Sequence, residues 1–173
     1  MALEWYNEMD VEGETPLSRA MKCGHGTLST FMLRQEEDDR PEKAAGETLV
    51  QRAAYWGLEQ AMQKLLDGGA TTVERDLRGE TPLHKAVRRG HTDTVCLLIE
   101  GGAEADSPDE YGMTSLHWTA INGRSDVAQM LLDSGAEVNN REYANGGLTP
   151  LAMSSLMGYD DLTELLSSRG GTY

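Results

Sequence analysis

From Asp76 to Asp106 the chain sets short apolar clusters between polar turns, and the clusters are spaced for helices. Asp76 to Gly79 reads as a polar turn. Thr81 and Pro82 then supply a helix start, a hydroxyl that can cap followed by proline at the first helical position. The helix that follows carries Leu83, Ala86 and Val87 and ends at Gly90, whose missing side chain suits the left-handed conformation that closes a helix. A second helix follows at once with Val95, Leu97, Leu98 and Ile99, and Gly101-Gly102-Ala103 ends it. Both helices are too short to persist alone, so each must bury its apolar side on its partner and on neighbouring copies of the pattern.

Those copies are visible. Gly13, Gly46, Gly79 and Gly112 lie 33 residues apart, and Thr15, Thr48, Thr81 and Thr114 keep the same step, as do Gly24, Gly57, Gly90 and Gly123. The fourth copy caps at Thr114, breaks at Gly123, packs Met130, Leu131 and Leu132, and ends at Gly135-Ala136. The fifth runs through Thr149, Pro150, Leu151, Gly158, Leu162, Leu165 and Leu166, but Gly112 to Gly147 is 35 residues. Gly147 to Gly170 keeps the 23-residue step of Gly112 to Gly135, which places two extra residues around Tyr143 to Gly146, in a hairpin tip. The second copy lacks the proline and the histidine of the third yet holds Ala53, Ala54 and Gly57. The first keeps GETPLSRA but replaces the Gly-Ala terminator by the charged run Glu36 to Asp39 before Pro41, expected to be a mobile loop. Trp5 to Met9 resembles the tail of a preceding copy.

A period near 33 with the signature T-P-L-H-x-A, present as GETPLHKA at Gly79 and nearly so as GMTSLHWTA at Gly112, resembles the ankyrin-repeat family over almost the whole chain. The resemblance implies an all-α solenoid of stacked helix-turn-helix units with short β-hairpin tips. It implies one domain over 1–173, with units near 10–42, 43–75, 76–108, 109–141 and 142–173. In that pattern His84 and His117 hydrogen-bond between turns and neighbouring units, and His25 and His91 follow helix-ending glycines.

Composition narrows the function. Lys and Arg total 15 against 29 Asp and Glu, a net charge of −14, which repels phosphate backbones, so nucleic acid is not an expected partner. MALEWYNEMD lacks a basic stretch followed by an apolar core, and no apolar run approaches the ~20 residues that span a bilayer. An intracellular, cytoplasmic or nuclear, monomeric protein is expected. Cys23 and Cys96 sit at non-equivalent positions, which fits neither a disulfide framework nor a zinc knuckle. No cluster of His, Cys and carboxylates makes a metal site, no Gly-Lys-Ser/Thr follows Gly68-Gly69 or Gly101-Gly102, and no G-x-S-x-G elbow surrounds a serine. No cofactor and no enzymatic activity are expected. Asn139, eight residues after Leu131, resembles the ankyrin asparagine that an asparaginyl hydroxylase can modify, though tying the hairpin is its expected role.

In ankyrin arrays the residues flanking the turn glycine, and the pair before the first helix's terminal glycine, line the concave face where partners dock. Here the turn positions are Val11, Glu12 and Glu14; Ala44, Ala45 and Glu47; Leu77, Arg78 and Glu80; Glu110, Tyr111 and Met113; Tyr143 and Leu148. The end-of-helix pairs are Lys22-Cys23, Tyr55-Trp56, Arg88-Arg89, Ile121-Asn122 and Leu156-Met157. Aromatic residues and arginine dominate binding hot spots. The expected contacts are therefore Tyr55, Trp56, Arg88, Arg89, Tyr111 and Met113, taking a protein segment that carries an acidic or phosphorylated side chain beside an aliphatic one. The packing of Tyr55 and Trp56 against a neighbouring unit is the competing reading. For the chain as a whole the resemblance implies a non-catalytic interaction module: adaptor, scaffold or inhibitor. Alternatives are a structural spacer or fragment of a larger array and, more distantly, a small cysteine hydrolase using Cys23 and His25.

Overall fold

The computed structural model describes residues 48–144 and 146–173. The expected unit 10–42, with Val11, Glu12, Glu14, Lys22, Cys23, His25 and the Glu36 to Asp39 run, lies outside the described residues, as do Ala44, Ala45 and Glu47. The described residues form four helix pairs: α1 (Leu49–Trp56) with α2 (Glu59–Asp67), α3 (Pro82–Arg89) with α4 (Thr92–Glu100), α5 (Ser115–Asn122) with α6 (Ser125–Asp133), and α7 (Pro150–Met157) with α8 (Asp160–Ser168). The first helices α1, α3, α5 and α7 stack on one another in one layer, the second helices α2, α4, α6 and α8 in another, and each helix also packs on its own partner.

Burial follows the repeat. Leu83, Leu116 and Leu151 occupy equivalent places in the first-helix layer, and Leu98, Leu131 and Leu166 in the second, all at most 2 % exposed. Where the first helices press closest, the equivalent positions are small: Ala53, Ala86, Thr119 and Ser154, all fully buried. The two hydroxyls satisfy themselves by donating back along their own helices, Thr119 Oγ1 to the Leu116 carbonyl at 2.7 Å and Ser154 Oγ to that of Leu151 at 2.9 Å. A polar residue in the core is therefore no break in the pattern here.

Each first helix starts at a threonine and ends at a glycine. Gly57 sits at φ 66, where a side chain is strained, and an added Cβ would also come within 2.5 Å of the His91 ring. His91 lies over that glycine and donates from Nε2 to the Tyr55 carbonyl at 3.1 Å. The same seat recurs along the stack: the Arg124 guanidinium covers Gly90 and the Tyr159 ring covers Gly123. One unit's helix end is thus closed by the next unit's side chain.

The tips differ from the expectation of β-hairpins, since the described residues contain no strand. Each tip is crossed by a main-chain bond, Asp76 N–H to the Glu80 carbonyl at 3.0 Å and Asp109 N–H to that of Met113 at 2.9 Å, with a tighter turn inside it from Gly79 N–H to the Asp76 carbonyl and from Gly112 N–H to that of Asp109. The amides that would extend a ladder go to a side chain instead. Asp76 Oδ1 accepts from Arg78 and Glu80 N–H, and Asp109 Oδ1 from Tyr111 and Met113 N–H, all at 2.9 Å. Successive tips are tied by Glu110 N–H to the Arg78 carbonyl at 2.9 Å and Tyr143 N–H to that of Tyr111 at 2.7 Å.

The two extra residues lie inside the last tip, where Glu142 N–H bonds the Leu148 carbonyl at 3.2 Å. Glu142 stands where the other tips have Asp76 and Asp109. Its longer side chain reaches across the enlarged loop to accept from Gly147 N–H at 3.2 Å and Leu148 N–H at 3.1 Å. One added methylene accommodates the insertion.

Candidate functional site

The tips and the first-helix layer meet along one face, and polar staples set their spacing. Three residues after its capping Thr81, His84 is 1 % exposed. Its Nδ1 accepts from Thr81 N–H at 3.1 Å and from the Thr81 hydroxyl at 2.8 Å, and its Nε2–H donates to the Met113 carbonyl at 3.0 Å in the next tip. His117 repeats this with Thr114 and the Leu148 carbonyl. Burial holds both imidazoles below the ordinary 6.5, so both are neutral with one donor and one acceptor nitrogen.

The unit without the histidine does the same work with Gln51. Its Oε1 accepts from Thr48 N–H at 2.8 Å, and its Nε2 donates to the carbonyls of Glu74 at 3.0 Å and Glu80 at 3.1 Å. Two of the three staples thus end on Glu80 and Met113, residues that line cavities on this face, and the third ends on Leu148.

Two adjacent cavities open there. One of about 530 Å³ is bordered by Tyr55, Trp56 and Leu77, together with Arg52, Asp76 and Lys85. The other, of about 360 Å³, is bordered by Tyr111, Met113, Trp118, Asp109 and Ala144. Arg78, Glu80 and Arg88 border both. Of the six expected contacts, Tyr55, Trp56 and Arg88 therefore meet at the first cavity, and Arg88, Tyr111 and Met113 at the second.

Their exposure is uneven. Tyr111 is 53 % exposed, while Tyr55 and Trp56 are half-buried, with Trp56 packed on the core and its ring edge-on to Tyr55 at 5.1 Å. Met113 is 6 % exposed and belongs to the core, so it can offer only a cavity wall and no protruding anchor. The apolar surface that does protrude includes Leu77, Tyr143, Leu156 and Met157, between 52 % and 81 % exposed.

Arg88 and Arg89 are also less available than their types suggest. Arg88 Nη1 pairs with Glu80 Oε1 at 2.7 Å, and its guanidinium lies 5.5 Å from the centre of the Trp118 ring. Arg89 donates to the Tyr55 hydroxyl and lies 4.1 Å above that ring. Beneath them Lys85, 2 % exposed, bonds Asp76 Oδ2 at 2.7 Å and Glu80 Oε2 at 3.5 Å. Burial tends to raise the Asp76 carboxyl, but the Lys85 ammonium and the Arg78 and Glu80 amides outweigh it and hold it below the usual carboxylate value. Tyr111 is pushed the other way, its phenol raised by a hydrogen bond to the Glu110 carboxylate and by that group's charge.

Trp118 was not among the expected contacts. On the helix-face pattern it follows His117 as one more amphipathic position. Equivalent places in the repeat hold Arg52 and Lys85, however, which marks the column as one that faces the cavities. Its Nε1–H is buried with no acceptor among the described residues.

No group of three His, Cys, Asp or Glu among the described residues is placed to hold a metal ion, and none of their helices is long and apolar enough to cross a membrane. No curated protein matches the sequence. A family model described as ankyrin repeats, in three copies, matches residues 51–142, more than half of the chain. Repeats of that family generally serve protein–protein interaction and are typically non-catalytic. With threonine caps, glycine seats and staples recurring through the described helix pairs, and with that match across them, the chain belongs to the ankyrin-repeat family.

Proposed function

We propose that the chain is a non-catalytic module, an adaptor, scaffold or inhibitor, that receives a segment of another protein on the face formed by its tips and first helices. The observation that carries this reading is the pair of adjoining cavities, walled by aromatic side chains and arginines and held on a stapled framework. Rigid walls lower the ordering cost of binding, and aromatic and arginine residues supply most interface energy. Five units share one domain over 1–173, acting as a monomer inside the cell. Tyr55, Trp56, Arg88, Arg89 and Tyr111 contact the partner, with Met113 as a wall beneath it. A net charge of −14 supports a protein partner over a nucleic acid.

The test is affinity purification from native extract with the wild type and with a variant carrying Trp56→Ala, Arg88→Ala, Arg89→Ala and Tyr111→Ala, after circular dichroism has shown equal helicity. Partners lost only from the variant place binding on this face. Identical partner sets remove the face from consideration.

A further inference from the structure

The polar groups around the smaller cavity are unequally used. Glu80 gives one carboxylate oxygen to Arg88 and the other to Lys85. Asp109 Oδ1 is taken by the amides of Tyr111 and Met113. Arg88 is engaged by Glu80. The exposed guanidinium of Arg78 makes no hydrogen bond or ion pair among the described residues, and the Trp118 indole N–H has no acceptor among them. The adjoining cavity shares Arg78 and Arg88, so the Arg78 guanidinium borders both.

We propose that the cavity beside Trp118 is the recognition pocket for an acidic peptide segment of the partner. An Asp or Glu side chain of that segment pairs with Arg78, and a neighbouring large apolar side chain sits against Trp118, Met113 and Tyr111. This rests on the protein-binding reading above and deepens it by naming what is bound. The exposed Arg78 guanidinium, with no side-chain partner among the described residues, selects a carboxylate as the occupant's polar group. One free guanidinium matches one carboxylate with two parallel bonds. A phosphate dianion would meet a single free arginine while still opposed by Glu110 and by the chain's excess of negative charge. The volume, about 360 Å³, holds a large apolar side chain with room beside it.

The experiment is selection of random short peptides displayed on phage against the whole chain, in parallel with Arg78→Glu, Arg78→Lys, Trp118→Ala and a Tyr55→Ala, Trp56→Ala variant, all matched for helicity. The wild type should enrich Asp or Glu beside Leu, Ile, Phe or Met. Arg78→Glu should weaken those peptides by roughly tenfold or more, and Arg78→Lys should weaken them less, because it keeps the charge and loses the fork. A synthetic selected peptide should lose similar affinity when its acidic residue becomes Gln. Enrichment of basic peptides, acidic peptides indifferent to Arg78→Glu, or a phosphoserine version that binds more tightly than the carboxylate would each overturn the assignment. Peptides lost only on Tyr55→Ala, Trp56→Ala would sink this pocket and leave the docking face standing. Failure to enrich any peptide that depends on these residues would sink both.

Discussion

Among the described residues, the α1 side of the stack and its α3–α5 centre solve one packing problem with different side chains. At the centre His84 and His117 each take a threonine amide on one nitrogen and give a proton to the next tip with the other. At α1, Gln51 does both with the oxygen and nitrogen of an amide. What the repeat requires at this position is one acceptor and one donor a fixed distance apart. Aromaticity is incidental, but titration is not, since imidazole can change charge and an amide cannot.

Removing a staple should have the largest effect. His84→Ala leaves the Thr81 amide without a partner, takes one of its two donors from the Met113 carbonyl and opens a void, and a loss of about 3 kcal/mol is expected in urea unfolding. A loss below about 1 kcal/mol would show that water replaces the staple. Gln51→Ala should cost about 2 kcal/mol by the same measurement and should also free Glu80 to move.

Acid should separate the two solutions next. Burial depresses His84 and His117 against the raising influence of the Asp109 charge, so just below pH 6.5 the unfolded chain binds more protons than the folded one. Their contribution is whole above 6.5 and is lost as pH falls through the lower folded values. The carboxylates of Asp76, Asp126 and Asp133 are also depressed, but from 3.8, so their loss begins lower. Thermal melts across this range should show an upper falling limb in the wild type that His84→Gln with His117→Gln removes. Persistence of that limb would assign it to other groups.

The smallest effect is expected from the reverse exchange. Gln51→His should change stability by no more than about 1 kcal/mol at neutral pH, while adding acid sensitivity at α1. A large loss at neutral pH would show that the α1 slot has shaped itself to the amide.

The same comparison shows what could be seen in the sequence. Thr81, Pro82 and Gly90 mark their helix because caps and terminators act within a few residues, and the 33-residue step carries that reading to the other helices. The staple at Gln51 was hidden, since the signature registers only a missing histidine and says nothing of hydrogen-bond geometry. The tips were anticipated in place but not in form, because Asp76 and Asp109 capture amides that a hairpin would pair. Arg88 and Arg89 stood out by type, yet their partners, Glu80 and Tyr55, are chosen by three-dimensional proximity across the tip and across the neighbouring unit. Trp118 was legible only down its column, beside Arg52 and Lys85.

The seats over the helix-ending glycines bear on how such chains are recombined. His91, Arg124 and Tyr159 belong by sequence to one unit but sit on Gly57, Gly90 and Gly123 of the unit before. A graft cut at the 33-residue period would leave a glycine under a stranger's side chain. The exchangeable module is therefore out of phase with the written repeat: a transplanted first helix must travel with the opening residue of the second helix that follows in the next unit.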